Sequence, residues 1–325
     1  MSRVDNINRA RFKKDDEFYT RYEDIEKELA NYTQHFRGKV VYCNCDNPYK
    51  SNFCKFFLAN FNCWGLKRLI CTSYGDGSGG RDLFSMFSVA RRGYILDVER
   101  VVMGGINKND FPSLLKAKVR ELDGDGDFRS EECIGYLKES DIVVTNPPFS
   151  LFGEYISLLV QYDKKFLIVG RETSVTHTKV FPLFKENKMW YGFSRIESFD
   201  RVDGSIVKFG NVVWFTNMKV LKDYKELILF EEYSEGKYCR YVNFDGIDIP
   251  SVSMIPKDYY GVMGVPSSFL FKYNPNQFEI IGYCNGVLGR SIGILKNRYN
   301  RHALALINKQ GEYKIPFSRV LIKRK

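Results

Sequence analysis

The feature that most constrains this chain is Asp141-Ile-Val-Val-Thr-Asn-Pro-Pro-Phe149, where a β-branched run stops at two consecutive prolines. Ile142, Val143 and Val144 fit a short buried strand, and proline ends it because it has no N–H to give to a ladder. Asn146, Pro147, Pro148 and Phe149 therefore fall at the C-terminal edge of a strand, where open α/β sheets bind ligands. The Asn146 side-chain oxygen and a backbone carbonyl beside it are two acceptors held by a stiff Pro-Pro backbone. Two acceptors in one plane match the two hydrogens of an exocyclic amine, and Phe149 gives a planar ring a face to stack on. The tetrad reads as a grip on an aromatic amine. Asn-Pro alone is ordinary turn punctuation, and Tyr273-Asn274-Pro275-Asn276 shows the contrast. It lacks the second proline, the ring and a preceding β-branched run, and reads as a turn.

A chain of 325 residues can bury a full core as one large domain or two smaller ones. Its 15 % aromatic content argues against disorder, and a formal charge of +10 favours a polyanionic partner. No run of apolar residues is long enough for a transmembrane helix, so no membrane association is expected. The N-terminal Met1-Ser-Arg-Val-Asp-Asn has no apolar signal-peptide core. Eight cysteines without a Cys-x-x-Cys pair, and three histidines, point away from a metal site and towards a reducing cytoplasm. Cys43 and Cys45 alternate along an apparent strand and read as buried small hydrophobes.

Along the chain, residues 1–14 form a basic arm, and Asp15 to Tyr32 reads as a helix following Asp-Glu-Phe-Tyr-Thr. Strands are expected at Lys39–Cys45, Leu66–Thr72, Gly93–Val98, Asp141–Val144, Lys165–Val169 and Val212–Thr216. Phe53, Phe56, Phe57 and Phe61 lie at helical spacing and read as core, and a second helix is expected over Phe152–Tyr162. Strands alternating with helices predict an α/β fold with a mainly parallel, doubly wound sheet. Beyond about residue 220, many Tyr and closely spaced turn signals predict a more irregular module with a basic end. The expected division is 1–220 and 221–325.

Asp16-Glu-Phe-Tyr-Thr20, Asn44-Cys-Asp-Asn-Pro48, Gly124-Asp-Gly-Asp-Phe-Arg129 and Thr145-Asn-Pro-Pro-Phe149 occur in that order. With Gly261-Val-Met-Gly-Val-Pro266, Tyr273-Asn-Pro-Asn-Gln-Phe278 and Arg319-Val-Leu-Ile-Lys323, this wording resembles the EcoRI-type adenine-specific DNA methyltransferases over nearly the whole chain. The resemblance implies a class I, Rossmann-like methyltransferase fold, S-adenosylmethionine as donor, and N6-methylation of adenine in double-stranded DNA by base flipping. It implies residues 1–220 as the cofactor-binding catalytic domain and 221–325 as the DNA target-recognition region. It also implies a monomer, and admits a cognate restriction endonuclease in the same system. By residue it implies Phe18, Tyr19 and Thr20 at the methionine end of the cofactor, with Asn44 and Asp46 in the loop after the first strand. Asp46 is placed to take the ammonium group. Asp127 and Phe128 would meet the cofactor's adenine, and Val212–Thr216 would help clamp the extruded base. Two departures stand out: Pro48-Tyr-Lys-Ser-Asn52 replaces the usual glycine-rich loop, and Cys71-Thr-Ser-Tyr74 carries no acid for the ribose hydroxyls.

Gly75-Asp-Gly77-Ser-Gly79-Gly80 with Asp97 also satisfies a dinucleotide fingerprint, which would suggest a nicotinamide oxidoreductase with a helix over Arg81–Arg92. That reading leaves residues 124–149 without a role. Methylation of RNA adenine or of a protein glutamine would use the same tetrad, and a non-catalytic DNA-binding protein could retain the fold. The C-terminal resemblance and a phenylalanine at 149 favour DNA.

Overall fold

The computed structural model describes residues 18–75, 92–99, 111–201, 204–219, 226–307 and 310–325. The expected basic arm at 1–14 lies outside them, as do nearly all of the glycine-rich segment and the helix expected after it. The described residues fall into two compact units. Those within Met1–Ser174 and Gly192–Val220 form the first, and those within Val175–Tyr191 and Leu221–Lys325 the second.

The first unit is built on a nine-stranded sheet. Its strands are β1 (Phe18–Thr20), β2 (Val40–Cys43), β3 (Arg68–Ser73), β4 (Tyr94–Val98), β5 (Val119–Glu121), β6 (Ile142–Thr145), β7 (Lys165–Arg171), β8 (Trp190–Arg201) and β9 (Ile206–Thr216). They lie in the order β1-β8-β9-β7-β6-β2-β3-β4-β5. The central four, β3-β2-β6-β7, run parallel, and every residue of β2 and β6 is buried. Continuous apolar runs such as Val-Val-Tyr-Cys and Ile-Val-Val are what a parallel strand covered on both faces requires. Strands β4, β5 and β9 are antiparallel to their neighbours, as is β1 to β8. The sheet is thus a mixed α/β sheet whose parallel part is its centre.

Helices α1 (Tyr22–Leu29), α2 (Thr33–Phe36), α3 (Asn52–Asn60), α4 (Phe111–Lys118), α5 (Glu131–Glu139) and α6 (Phe152–Gln161) belong to this unit. The Ser51 hydroxyl caps α3 by accepting from Phe53 N and Cys54 N at 3.0 and 3.4 Å, and Ser130 caps α5 through Cys133 N. Phe53, Phe56, Phe57 and Phe61 are buried as the aromatic spacing predicts. Phe18–Thr20 departs from the helix expected around it. It pairs with Phe199–Arg201, because Phe, Tyr and Thr favour a pleated strand once a partner edge is present, and helix α1 starts only at Tyr22.

Helix α1 carries an unexpected buried charge. The fully buried Glu28 carboxylate accepts from Phe193 N (2.8 Å), Ser194 N (2.7 Å), Ser194 Oγ (2.6 Å) and Tyr32 OH (3.1 Å). Gly192 lets strand β8 approach, since a Cβ there would collide with Glu28 Oε1.

The second unit holds α7 (Phe181–Lys185), β10 (Ile247–Asp248), β11 (Met263–Pro266), β12 (Phe278–Tyr283), α8 (Gly286–Ser291), β13 (Leu306–Ile307), β14 (Tyr313–Lys314) and β15 (Arg319–Arg324). A small sheet runs β10-β11-β15-β12, and β13-β14 form a separate ribbon. The short strands and long connections match the irregular texture expected beyond residue 220. Segment Val175–Tyr191 joins this unit through contacts such as Phe181 against Tyr283, ring centroids 5.4 Å apart. The second unit is therefore assembled from two chain segments. Asn274 makes the turn expected at 273–276, its carbonyl accepting from Gln277 N and Phe278 N.

Candidate active site

The C-terminal ends of β3, β2 and β6 lie side by side, because Cys43 pairs with Cys71 and Tyr42 with Val143. Chain order puts β3 and β6 on opposite sides of β2, so the direction of winding reverses there, and such reversals open a crevice beyond the strand ends. Asn44 and Asp46 follow β2, Ser73 closes β3, Thr145 closes β6 and Asn146 follows it.

Asp46 ties these ends together. Its buried carboxylate accepts from the Ser51 hydroxyl at 2.8 Å, from the Thr145 hydroxyl through a very short bond, and from the Asn146 backbone N–H. Its own N–H donates to Thr72 O at 3.0 Å. Burial pushes the Asp46 carboxyl up to about 6, with the hydrogen bonds from Thr145, Ser51 and Asn146 holding it down in part. The Asp46 carboxyl is thus easier to protonate than an ordinary one, in the loop that leads to the Ser51 cap of α3.

Asn146 is oriented by a residue far away in sequence. Its Nδ2 donates to the carbonyl oxygen of Phe18 at 3.1 Å, which turns Oδ1 the other way. Oδ1 is buried and has no hydrogen-bond partner among the described residues. Buried acceptors are almost always satisfied, so an enclosed carbonyl without a protein donor is left to a water or a ligand. Pro147 is buried and Pro148 exposed behind it. Phe149 is half-buried, opens a short 3-10 turn (Phe149–Leu151), and has the Arg171 guanidinium 5.6 Å from its ring centroid. Phe18, whose ring packs on Phe209 and Phe199, holds the strand that receives Asn146. Tyr19 and Thr20 complete that strand, and the buried Thr20 Oγ1 also has no partner among the described residues.

The loop at 124–127 closes over the end of β3. Gly75 N donates to Asp125 O at 2.8 Å and Gly93 N to Gly124 O at 2.9 Å. Gly126 has φ +76°, and a Cβ on it would strike Ser73 O, so only glycine fits. This places Asp127 and Phe128, though not as open contacts. Arg129 takes the Asp127 carboxylate through Nε at 3.0 Å and a second guanidinium nitrogen at 2.9 Å. The Phe128 ring is 4 % exposed and packs edge-on against Tyr155. The Tyr155 hydroxyl donates to Asn44 Oδ1 through a very short bond, and among the described residues the buried Asn44 Nδ2 and Ser73 Oγ have no partner.

Ser51, Ser73, Thr145 and Tyr155 are the site residues that motif reading missed. A Ser before a helix run was a readable cap signal for Ser51. Thr145 and Tyr155 matter through bonds to residues far away in sequence, Asp46 at 99 positions and Asn44 at 111, and Ser73 stands out only once its hydroxyl is seen to be buried. Two other expectations change in setting. Val212–Thr216 lies in β9 with all five side chains buried, Trp214 against Phe53 and Phe215 against Phe152. Cys43 is buried as expected, but Cys45 lies beyond the strand end and is partly exposed. Asp97, the acid of the dinucleotide fingerprint, lies opposite Ile70 in an antiparallel strand, and both its oxygens are taken by Arg68 at 2.7 Å. Because β4 runs antiparallel to β3, its C-terminal end lies at the sheet edge away from the ends of β2, β3 and β6, so Asp97 stands apart from the site; the glycines after Gly75 lie outside the described residues. Among the described residues no cluster of His, Cys, Asp and Glu could hold a metal ion, and no helix is long and apolar enough to cross a membrane.

The geometry therefore defines an open-sheet site with unfilled buried donors and acceptors at three adjacent strand ends, beside an Asn-Pro-Pro-Phe grip. Residues 6–325 match the family described as adenine-specific methyltransferase EcoRI, and the chain belongs to that family. The Type II methyltransferase M.EcoRI of Escherichia coli is 41 % identical over 98 % of this chain and 96 % of its own length. The Type II methyltransferase M.MpnI of Mycoplasma pneumoniae is 36 % identical, over 85 % of this chain and 84 % of its own. M.MgeORF184P of Mycoplasma genitalium is 34 % identical over 85 % of each chain. No solved structure matches the chain.

Proposed function

We propose that the protein is a site-specific DNA methyltransferase that moves a methyl group from S-adenosylmethionine to N6 of a flipped-out adenine in duplex DNA. One observation carries the reading: a buried Asn146 Oδ1 with no partner among the described residues, aimed by the Phe18 carbonyl. The fold it implies is the class I methyltransferase fold, with the first unit holding cofactor and target base and the second meeting DNA.

The residues present fit the cofactor. Asn44 Nδ2 and Ser73 Oγ are buried and unfilled at the ends of β2 and β3, and Asp46 stands beside them as a carboxylate for an ammonium group. When bound, S-adenosylmethionine supplies an electrophilic methyl carbon on a sulfonium. Adenine N6 is a weak nucleophile because its lone pair is delocalised into the ring. Accepting its two hydrogens at Asn146 Oδ1 and the Pro147 carbonyl turns that lone pair out of the ring plane. With the cofactor held by Asn44, Asp46 and Ser73, its sulfonium would give up the methyl to N6 and leave as the thioether, and the extra proton on N6 would pass to water. The protein's share is alignment and charge complementarity. Extrusion costs on the order of a few kcal/mol, which stacking on Phe149 offsets in part. In this role Asp127 and Phe128 meet the cofactor's adenine, with Arg129 holding the carboxylate and Tyr155 packing on the ring.

Incubating the protein with methyl-labelled S-adenosylmethionine and unmethylated duplex DNA should yield labelled N6-methyladenine on nucleoside analysis. Label entering RNA or protein, with none in mixed-sequence duplex DNA, would overturn the reading.

A further inference from the structure

Between Glu279 and Glu312 the chain carries no acidic residue but has Arg290, Lys296, Arg298, Arg301 and Lys309. Three of these cations crowd into the loop between α8 and β13, and the structure holds that loop stiffly. Asn243, 6 % exposed, donates from one amide to Leu295 O (2.8 Å) and Ala303 O (2.9 Å) and accepts from Ala305 N (2.9 Å), so it pins both stems. Asn297, 7 % exposed, closes the tip. Its N–H donates to Arg301 O at 2.9 Å, its carbonyl accepts from Asn300 N at 2.8 Å, and its Oδ1 accepts from Tyr299 N at 2.9 Å. Asn300 turns the chain with φ +58°. The Arg298 guanidinium lies 4.8 and 4.0 Å from the ring centroids of Tyr299 and Tyr313.

This loop uses its buried polar groups to fix a tip that is unfavourable by itself. Lys296, Arg298 and Arg301 are exposed, close in sequence, and have no carboxylate partner within salt-bridge distance among the described residues. Leu295 beside them is 68 % exposed. Holding like charges together costs energy that a bound polyanion offsets, and a preformed tip loses little entropy on contact.

We propose that residues 295–301 form a duplex-DNA contact of the second unit, with Lys296 and Arg301 neutralising backbone phosphates. Duplex is favoured over single strands because Arg298 already occupies the rings of Tyr299 and Tyr313, which single-strand binders leave open for base stacking. The proposal rests on DNA being the substrate, and its test separates the two.

The full-length protein carrying Lys296→Ala with Arg301→Ala should lose roughly tenfold or more in duplex-DNA affinity at moderate salt. The slope of log K against log salt should become shallower by about 2, one counterion for each phosphate no longer neutralised. Thermal stability and S-adenosylmethionine affinity should not change, and Lys296→Arg with Arg301→Lys should bind as the wild type does. Unchanged duplex affinity and slope would overturn the proposal, as would a loss confined to single-stranded RNA, or a loss equally large in the charge-conserving pair. Wild-type protein that binds duplex through this loop yet transfers no methyl would sink the proposed reaction and leave the loop standing. Normal methylation with an indifferent loop would do the reverse.

Discussion

The Asn146 side-chain amide donates to the carbonyl oxygen of Phe18 at 3.1 Å, joining the strand end that carries the grip to an edge strand 128 residues away. The bond decides which way the amide faces, and so makes Oδ1 the vacant acceptor. Asn146→Ala should cut methyl transfer by about a hundredfold or more, the usual cost of losing a charge-organising hydrogen-bond partner. Cofactor affinity should fall little. Asn146→Asp keeps an acceptor but sets a carboxylate oxygen against the Phe18 carbonyl, so it should be at least as inactive. Single-turnover methylation alongside cofactor titration checks both, and loss of cofactor binding in Asn146→Ala would count against the assigned role.

Asp46 should make cofactor binding pH-dependent. Its folded-state value of about 6 lies above the ordinary 3.8, so the folded chain holds the proton more tightly than the unfolded chain. Through this group, stability falls as pH rises from about 4 to 6, by roughly 3 kcal/mol in all. An ammonium ligand needs the charged form. S-adenosylmethionine affinity should therefore weaken as pH drops below about 6, and calorimetric titration from pH 5 to 8 should show the dependence vanish in Asp46→Asn.

Glu28 should matter for stability alone. Its carboxylate meets four donors and is fully buried. Glu28→Gln turns an NH2 towards backbone N–H groups, leaving buried donors unmatched at a cost of roughly 2–4 kcal/mol. Denaturant unfolding should show that loss, with turnover near wild type at low temperature. Equal stability would mean that the donors find water instead.

Gly126→Ala should weaken cofactor binding without touching any proposed contact atom. The φ of +76° is strained for alanine, and its Cβ would strike Ser73 O, so the loop must lift from the end of β3. A strain of about 1–3 kcal/mol is expected, read as reduced cofactor affinity and faster proteolysis near 124–127.

The chain by itself determined the parts whose signal is local. Ile142-Val-Val before Asn-Pro-Pro is a buried strand and its stop, and Phe53, Phe56 and Phe57 on one helical face are core. The family wording carried the activity. Only the tertiary structure decided what each polar atom faces. Phe18–Thr20 became a strand because β8 offered an edge, and β4 turned antiparallel to β3, leaving Asp97 to Arg68. Asp127 and Phe128, read as cofactor contacts, are held by Arg129 and Tyr155, and Glu28 gave no sequence sign of being buried. Strand propensity and capping act over a few residues, whereas hydrogen-bond partners and burial are set by segments 30 to 166 positions apart that meet only when the sheet closes.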